Sequence, residues 1–505
     1  MPDLFRRSFF SGRSKSSIPD WLTVMRIDKI AVTNFKGFEE LRLEFPEANE
    51  ASGVSGSFHL LIGPNASGKT SALDALAVAA GAWLLGVPDT ESRTIRSEDV
   101  RLKVIDYRDT QRVEPQLPTV VVAQGTVLGQ SLEWRRTRKW DQTDRMGAKT
   151  IQLLAEKAVT AKRRGDPEVL PLVVYYGTGR SWQEPRTPFL RRIGQEPQIA
   201  EGFRLRGISI KGKPIGGGEE AASPTDTDIG TEPEDQGLEQ KFASALAGYR
   251  RGIDPYCNPQ DLLSWLKLEQ QLAVQERAES HQFQVVKQAI NGSIPGCLGV
   301  HYHLRLGLLL EIERQGRLPF GALSHGQRNM IAMIGDLAWR AAQLNPHLGA
   351  EVLDITPGVV LIDELELHLH PSWQREIVKT LRGLFPSVQF IATTHSPQVI
   401  GHLPSRSVQV LARESEGKIR AVAVPQSLGM DSNWILEQIM NTPDRESGTQ
   451  SRLAEIFAAI DDENFRLAKE WIRDLERTVG LFPELQGARS MVDRLEILLA
   501  DEKDS

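Results

Sequence analysis

The sequence predicts an α/β protein: a mixed sheet flanked by helices, with a helical insertion and a C-terminal helical subdomain. Three observations carry this prediction. Ser57 to Ile62 is a short apolar run that leads into a glycine-rich loop and then into strong helix formers. Val359 to Ile362 and Phe390 to Ala392 are further apolar runs with the length of buried parallel strands. Residues 431–505 have helical patterning.

The composition is that of a globular protein. The 505 residues are 40% hydrophobic and 25% charged, and they suffice for two or three domains. We find no run of about 18 apolar residues and no apolar core of a signal peptide. The two cysteines, Cys257 and Cys297, suit a reducing compartment. We therefore expect a cytoplasmic protein without membrane contact. The net charge of −6 is mild, so only a local basic patch could bind DNA.

The glycine-rich loop matches the pattern G-x-x-x-x-G-K-[S/T] in full. Backbone N–H groups of such a loop cradle phosphate oxygens, and the next helix directs its positive end at them. Lys69 is expected to reach the β- and γ-phosphates, and Thr70 to ligate Mg²⁺. The predicted ATP-binding residues of this segment are Gly63, Pro64, Asn65, Ala66, Ser67, Gly68, Lys69, Thr70 and Ser71.

Two of the apolar runs end in residues suited to hydrolysis. The first ends in Asp363 and Glu364, which a parallel strand would deliver to the edge of the sheet where ligands bind. We expect Asp363 to hold Mg²⁺ and Glu364 to activate the attacking water. The second is followed by His395, expected to contact the γ-phosphate. The predicted catalytic residues are therefore Glu364, His395 and Lys69.

Leu323-Ser324-His325-Gly326-Gln327 is similar to the signature of ABC-type ATPases. This resemblance implies that Ser324, Gly326 and Gln327 bind the ATP held by a second head, so that two heads dimerise around ATP. Ser324 and the N–H groups near Gly326 are predicted to begin a helix (Met330 to Arg340), and that helix end would bind the γ-phosphate of the ATP held by the second head.

Other candidate residues leave alternatives open. Gln124, then Gln130, is the candidate for the glutamine that contacts Mg²⁺. Arg180 is catalytic, contacts DNA or is structural. His368 and His370, with Glu366 nearby, lack the further ligands that a zinc site needs. Basic pairs at 135–136, 138–139, 163–164, 191–192 and 250–251, the first flanked by Trp134 and Trp140, suit nucleic acid or a solvated face.

The predicted division of the chain follows from these patterns. It comprises a disordered N-terminal extension (1–24, with Met25 a candidate natural start), an N-terminal ATPase lobe with the phosphate loop (25–140), a mainly helical insertion (141–298) with an acidic flexible linker (211–239), a C-terminal ATPase lobe (299–430) and a C-terminal helical subdomain (431–505). In the subdomain, Asp461 or Asp462 is the expected N-cap of a helix that ends at Gly480.

The motifs together resemble those of SMC/RecF-like ATPase heads and, more closely, of bacterial anti-phage ATPases. Met25 to Ile30 with Asn34 to Phe38 resembles the opening of SMC/RecF-like heads. Gly68 to Ala75, Glu364 to Gln374 and Thr393 to Gln398 sharpen the resemblance to the Septu, retron-associated and overcoming-lysogenization-defect ATPases. The resemblance implies ATP and Mg²⁺ as cofactors and a homodimer or a higher oligomer. The basic pairs beside aromatic residues leave DNA open as a further partner. The overcoming-lysogenization-defect nucleases carry a Toprim domain with an acidic D-x-D. No such triplet follows His395, and Asp226-Thr227-Asp228 lies in the acidic linker.

We therefore expect no nuclease site in this chain and a separate nuclease or effector subunit as its partner. Three alternatives remain: a RecF/SbcC-like DNA repair ATPase, an ABC transporter subunit, and a module that uses ATP as structural glue. Transporter subunits place the signature much sooner after the phosphate loop, which disfavours the second alternative.

Overall fold

The computed structural model describes residues 25–46, 56–107, 110–140, 142–180, 244–255, 260–414, 418–443 and 445–503. The predicted extension 1–24, the acidic linker 211–239, the basic pair 191–192 and Cys257 lie outside the described residues. Among the described residues, no helix has the length and hydrophobicity to cross a membrane.

The strands, in chain order, are β1 (Met25–Phe35), β2 (Phe38–Glu44), β3 (Phe58–Ile62), β4 (Leu102–Tyr107), β5 (Thr110–Pro115), β6 (Thr119–Val127), β7 (Gln130–Arg138), β8 (Thr143–Asp144), β9 (Leu172–Tyr176), β10 (Cys297–His303), β11 (Gly307–Ile312), β12 (Gly316–Pro319), β13 (Gly358–Ile362), β14 (Val388–Thr393), β15 (Val408–Arg413) and β16 (Ile419–Ala423). The α-helices are α1 (Lys69–Ala80), α2 (Lys149–Arg163), α3 (Gln260–Glu276), α4 (His281–Ser293), α5 (His325–Leu344), α6 (Val352–Ile355), α7 (Pro371–Gln374), α8 (Ile377–Leu384), α9 (Pro397–Ile400), α10 (Ser432–Trp434), α11 (Ser447–Asp461), α12 (Phe465–Val479) and α13 (Pro483–Lys503).

A six-stranded mixed sheet in the order β16-β15-β3-β14-β13-β9 forms the centre of the head. β15, β3, β14, β13 and β9 are parallel, and β16 pairs antiparallel with β15. All residues of β3, β9, β13 and β14 are buried, as expected for parallel strands covered on both faces. The prediction of a mixed sheet flanked by helices is confirmed.

A second sheet, β2-β1-β6-β7-β8, is antiparallel and lies on the other side of α1. Helix α1 contacts strands of both sheets, and its residues after Ser71 are buried. Small side chains such as Ala72, Ala75 and Ala79 allow this close packing. The helix that follows the phosphate loop is therefore held between two sheets.

The predicted insertion 141–298 needs one correction. It contains β9, which pairs in parallel with β13 from Leu172↔Gly358 to Tyr176↔Ile362 and so belongs to the central sheet of the head. A single apolar core also runs from Met25 to Ile439 and includes residues of α2, α3 and α4. We assign β9 to the head; the other boundaries remain a proposal.

The last three helices, α11 to α13, have an apolar core of their own that includes Ile456, Ile472 and Val492. The N-cap of α12 is Asn464, whose side chain accepts a hydrogen bond from the Leu467 N–H; the prediction of Asp461 or Asp462 was wrong. Helix α11 extends to Asp461, and this extension moves the cap to Asn464. Gly480 ends α12 with a φ of 94°, as predicted.

Candidate nucleotide-binding site

The phosphate loop connects β3 to α1 at the carboxyl end of the central sheet. Gly68 has a φ of 91°, and a Cβ atom there would lie 2.6 Å from the ring of Phe38. Any other residue would be strained and would clash with this ring, so the position requires glycine. Phe38, the first residue of β2, thereby fixes how closely the loop approaches the antiparallel sheet.

Lys69 points its ammonium group back into the loop. Its Nζ donates hydrogen bonds to the carbonyl oxygens of Gly63 at 2.8 Å and Pro64 at 3.0 Å. Burial lowers the pKa of Lys69, and the carboxylates of Asp363, Glu364 and Glu366 act in the opposite direction. A cation surrounded by carbonyl dipoles and three acids is suited to exchange the two carbonyls for phosphate oxygens.

Asp363 follows β13 and faces the start of α1. The Thr70 hydroxyl donates to its Oδ2 at 2.8 Å, and the Thr393 hydroxyl donates to its Oδ1 at 2.6 Å. The carboxylate of Asp363 and the hydroxyl of Thr70 are hard oxygen ligands next to a phosphate loop, the environment that Mg²⁺ uses in nucleotide sites. These two residues fit the metal that the sequence motif implies.

Glu364 has a left-handed backbone with a φ of 47°. Its N–H donates to the Thr393 hydroxyl at 2.7 Å, so Thr393 holds both acids at the end of β13. Non-glycine residues in this conformation occur at functional sites when the surroundings impose it. The role of Thr393 was not predicted, because a threonine in an apolar strand gives no signal of it.

His395 lies just after β14, on a backbone held by the acidic loop that follows Glu364. Its N–H donates to Glu366 at 2.5 Å, and the Thr394 hydroxyl donates to the second oxygen of Glu366 at 2.7 Å. Glu366 therefore joins the loop after β13 to the loop after β14. This contact makes it a positioning residue instead of the metal ligand considered from the sequence.

Gln374 makes a second link between the same two loops. Its amide nitrogen donates to the Leu369 carbonyl at 2.8 Å, and its amide oxygen accepts from the Ser396 hydroxyl at 2.7 Å. The role of Gln374 was also not predicted. Its signal in the sequence was its place at the end of the Glu364 to Gln374 stretch that carries the resemblance to anti-phage ATPases.

A cavity of about 270 Å³ lies where these elements meet. Its lining residues are Asn65, Ala66, Gly68, Lys69, Thr70, Ser71, Asp363, Glu364 and His395. The structure thus brings together the predicted phosphate loop, both acids and the histidine from segments far apart in sequence.

Ser324, Gly326 and Gln327 do not line this cavity. They begin α5, where Ser324 is the N-cap and forms a capping box with Gln327. A Cβ atom at Gly326 would lie 2.4 Å from the His368 carbonyl oxygen, so the helix start packs against the loop after Glu364. The signature and the acidic loop of one chain are therefore in direct contact.

The assignment of Gln124 to the metal site is not supported by its position. Gln124 lies on the exposed face of β6, donates to Glu133 at 2.8 Å and does not line the cavity. The side chains of Val121 and Ala123 are buried, and strand alternation turns Gln124 to the opposite face. Gln130, the second candidate, is exposed at the start of β7 and does not line the cavity.

The histidines after Glu364 have a structural explanation. The His370 side chain caps α7 by accepting the Ser372 N–H, and no metal-binding group of three or more ligands occurs among the described residues. Of the predicted basic and aromatic group, Trp134 is buried and donates to the Ala79 carbonyl, and Arg136 is also buried. Trp140 is 79% exposed, so only part of this group could contact a ligand.

Comparisons with known proteins agree with the site. Residues 25–81 match the family "AAA ATPase domain", and residues 205–401 match "AAA domain, putative AbiEii toxin, Type IV TA system". The chain is 34% identical over 180 residues to "Retron Ec83 probable ATPase" of Escherichia coli, covering 35% of this chain and 32% of that protein. It is 27% identical over 154 residues to "Septu protein PtuA" of Bacillus thuringiensis, covering 30% of this chain and 39% of that protein. Over about a third of its length or less, the chain is thus similar to proteins named as retron ATPases and a Septu protein, and its matching family models are ATPase domains.

A further relative is "Retron Vc95 probable ATPase" of Vibrio cholerae, 44% identical over 100 residues, or 20% of this chain and 19% of that protein. The matched regions span less than two fifths of each of these three relatives. Among solved structures, an SMC head domain from Thermotoga maritima aligns over 79% of this chain and 99% of its own, with 13% identity and a TM-score of 0.36.

Proposed function

We propose that the chain binds ATP with Mg²⁺ and hydrolyses it, and that it uses this cycle to control a separate effector protein. The observation that carries the proposal is the cavity in which Lys69, Thr70, Asp363, Glu364 and His395 meet. The combination of a phosphate loop, a metal-binding acid and a second acid for the water is what hydrolysis of a nucleoside triphosphate requires.

Each residue then has a defined task. Lys69 leaves the carbonyls of Gly63 and Pro64 and binds phosphate oxygens. Thr70 and Asp363 hold Mg²⁺, which when bound neutralises charge on the phosphates. Glu364 accepts a proton from the attacking water, and His395 contacts the terminal phosphate. Thr393, which bonds to both acids, keeps Glu364 in place.

We further propose that two copies of the chain close around ATP. Ser324 is exposed, and neither Ser324 nor Gly326 or Gln327 lines the cavity of its own chain. The N-terminus of a 20-residue helix stabilises an anion. In a dimer with closed symmetry each signature would cover the phosphate loop of the partner, and both sites would be equivalent.

The proposed partners are a nuclease or other effector subunit and DNA. The similarity to retron and Septu proteins and the expected lack of a nuclease site support an effector in trans. Trp140 with the neighbouring Lys139 and Arg145, all exposed, is the proposed contact for DNA, since aromatic and basic side chains together bind single strands.

Glu364→Gln tests the proposal most simply. The variant keeps size and packing but cannot accept the proton from water, so we expect ATP turnover to fall by roughly 100-fold while ATP still binds. The measurement is phosphate release together with an ATP-binding titration.

Glu376→Gln is the matched control, because Glu376 is an exposed acid near the site but outside the cavity. It should hydrolyse ATP like the wild type. Unchanged turnover in Glu364→Gln would contradict the proposal and favour a chain that uses ATP only as structural glue.

A further inference from the structure

Strand β9 ends in two adjacent tyrosines whose side chains lie on opposite faces of the central sheet. Neither tyrosine lines the nucleotide cavity. Both are at least 97% buried. The Tyr176 hydroxyl bonds to an acid on α5 and Tyr175 lies close to an acid on α1, and both helices belong to the proposed ATP cycle.

Tyr176 connects β9 to the signature helix α5. Its hydroxyl donates to Asp336 Oδ2 at 2.6 Å, and Arg340 Nε donates to the same oxygen at 2.8 Å. Arg340 also donates from Nη1 to the carbonyl oxygens of Gly248 and Arg250. Asp336 and Arg340 are each 1% exposed, so they form a buried ion pair on α5. The Tyr176 hydroxyl is hydrogen-bonded to this pair.

The backbone of Tyr176 connects to the metal-binding acid. Its carbonyl oxygen accepts the N–H of Asp363 at 2.8 Å, where β9 and β13 end side by side. One residue thus bonds to Asp363 through its main chain and to α5 through its side chain. When a metal replaces the bond between Asp363 and Thr70, a shift of Asp363 would displace Tyr176, because the two residues are hydrogen-bonded through their main chains.

Tyr175 makes the corresponding connection on the other face, to the phosphate-loop helix α1. Asp74 lies close to it, and burial together with the Asp74 and Asp363 carboxylates raises the pKa of Tyr175. Asp74 also forms ion pairs with Lys36 and Arg93, and both cations reach Asp99. Tyr175 therefore belongs to a buried charge network that holds α1.

We propose that Tyr176 is a positioning residue that couples nucleotide occupancy of the cavity to the orientation of α5, while Tyr175 positions α1 for ATP binding. The inference rests on the proposed function. Asp336 lies 11 residues into α5, roughly 16 Å along the helix from its start. Because α5 is attached to β9 at this point and moves as a rigid body, a displacement of β9 also moves Ser324. Ser324 is the residue proposed to contact the partner's ATP.

The two tyrosines predict different kinetic defects. Tyr176→Phe keeps the ring and removes the bond to Asp336, so kcat should fall about tenfold while the KM for ATP stays within about twofold. In a Glu364→Gln background the same change should weaken ATP-driven dimerisation about tenfold at unchanged ATP affinity. Tyr175→Phe should instead raise the KM for ATP about fivefold with little change in kcat.

Tyr249→Phe is the control for loss of a buried tyrosine hydroxyl, since Tyr249 is 1% exposed and accepts a hydrogen bond from Trp83 at 3.0 Å. It should destabilise the chain as much as Tyr176→Phe but leave kcat and KM unchanged per folded molecule. If Tyr176→Phe matched Tyr249→Phe or the wild type in kcat and dimerisation, the inference would be overturned and the proposed function would stand. A wild-type chain without ATP turnover would refute the proposed function and this inference with it.

Discussion

At the scale of single residues, the candidate site is held together by side chains that do not touch the nucleotide cavity. Thr393 bonds to Asp363 and Glu364, Glu366 bonds to the backbone of His395, and Gln374 bonds to both loops. These bonds explain how Glu364 keeps its left-handed backbone. The chemistry is carried by motif residues, and their geometry by neighbours that no motif includes.

His59 supplies a pH-dependence prediction. It lies on β3, is 1% exposed, and burial with the nearby Arg26 and Arg406 lowers its pKa to about 3. The unfolded chain therefore takes up the proton first as the pH falls. The contribution of neutral His59 to the stability of the folded chain is fully present above about pH 6.5. It is lost progressively from there toward pH 3.

We expect about 2 kcal/mol of this stability to be lost between pH 7 and pH 5. Urea unfolding of the wild type and of His59→Gln at both pH values measures it, because other groups titrate alike in both chains. A loss of stability equal in the two chains would show that His59 does not contribute.

At the scale of elements, the strands and helices that were predicted correctly are those for which one continuous segment contains the whole sequence pattern. β13 and β14 are apolar runs of strand length, and α1 follows a complete phosphate loop. The pairing of β9 with β13 depends on residues far apart in sequence, so β9 was recognised as a strand but assigned to an insertion. The helix α5 begins at its N-cap Ser324, as predicted, where Ser324 and Gln327 form a capping box, and it extends beyond the predicted Arg340 to Leu344.

The sequence around Gln124 contains a local pattern, the alternation of residues along a strand, that indicates where its side chain lies. The buried Val121 and Ala123 alternate with it on β6, and this alternation already excludes Gln124 from the inner face. By contrast, the contacts of Tyr175 with Asp74 and of Tyr176 with Asp336 could not be predicted. Both acids are distant from the tyrosines in sequence, and they lie on helices that cover opposite faces of the sheet.

At the scale of the whole molecule, two apolar cores exist among the described residues. One includes both sheets and extends to Ile439, and the other lies within α11 to α13. Because they share no buried residue, the C-terminal helices form a unit whose stability is set mainly by their own packing.

Ile472→Ala tests this independence. Ile472 is 2% exposed in the core of α11 to α13, so its truncation should cost that unit about 2–5 kcal/mol. We expect hydrogen exchange to accelerate in α11 to α13 of the full chain and to stay unchanged in α1 and β13. Faster exchange in β13 as well would mean that the two cores unfold together.

The central claim is that two copies of this chain share each ATP site, the phosphate loop coming from one copy and the signature from the other. Mixing Lys69→Ala and Ser324→Arg chains and measuring ATP turnover tests it most directly. Each variant alone should be inactive, whereas half of the dimers in the mixture are mixed and contain one intact site, giving about a quarter of wild-type turnover. Full activity of either variant alone, or a mixture no more active than its components, would contradict the account.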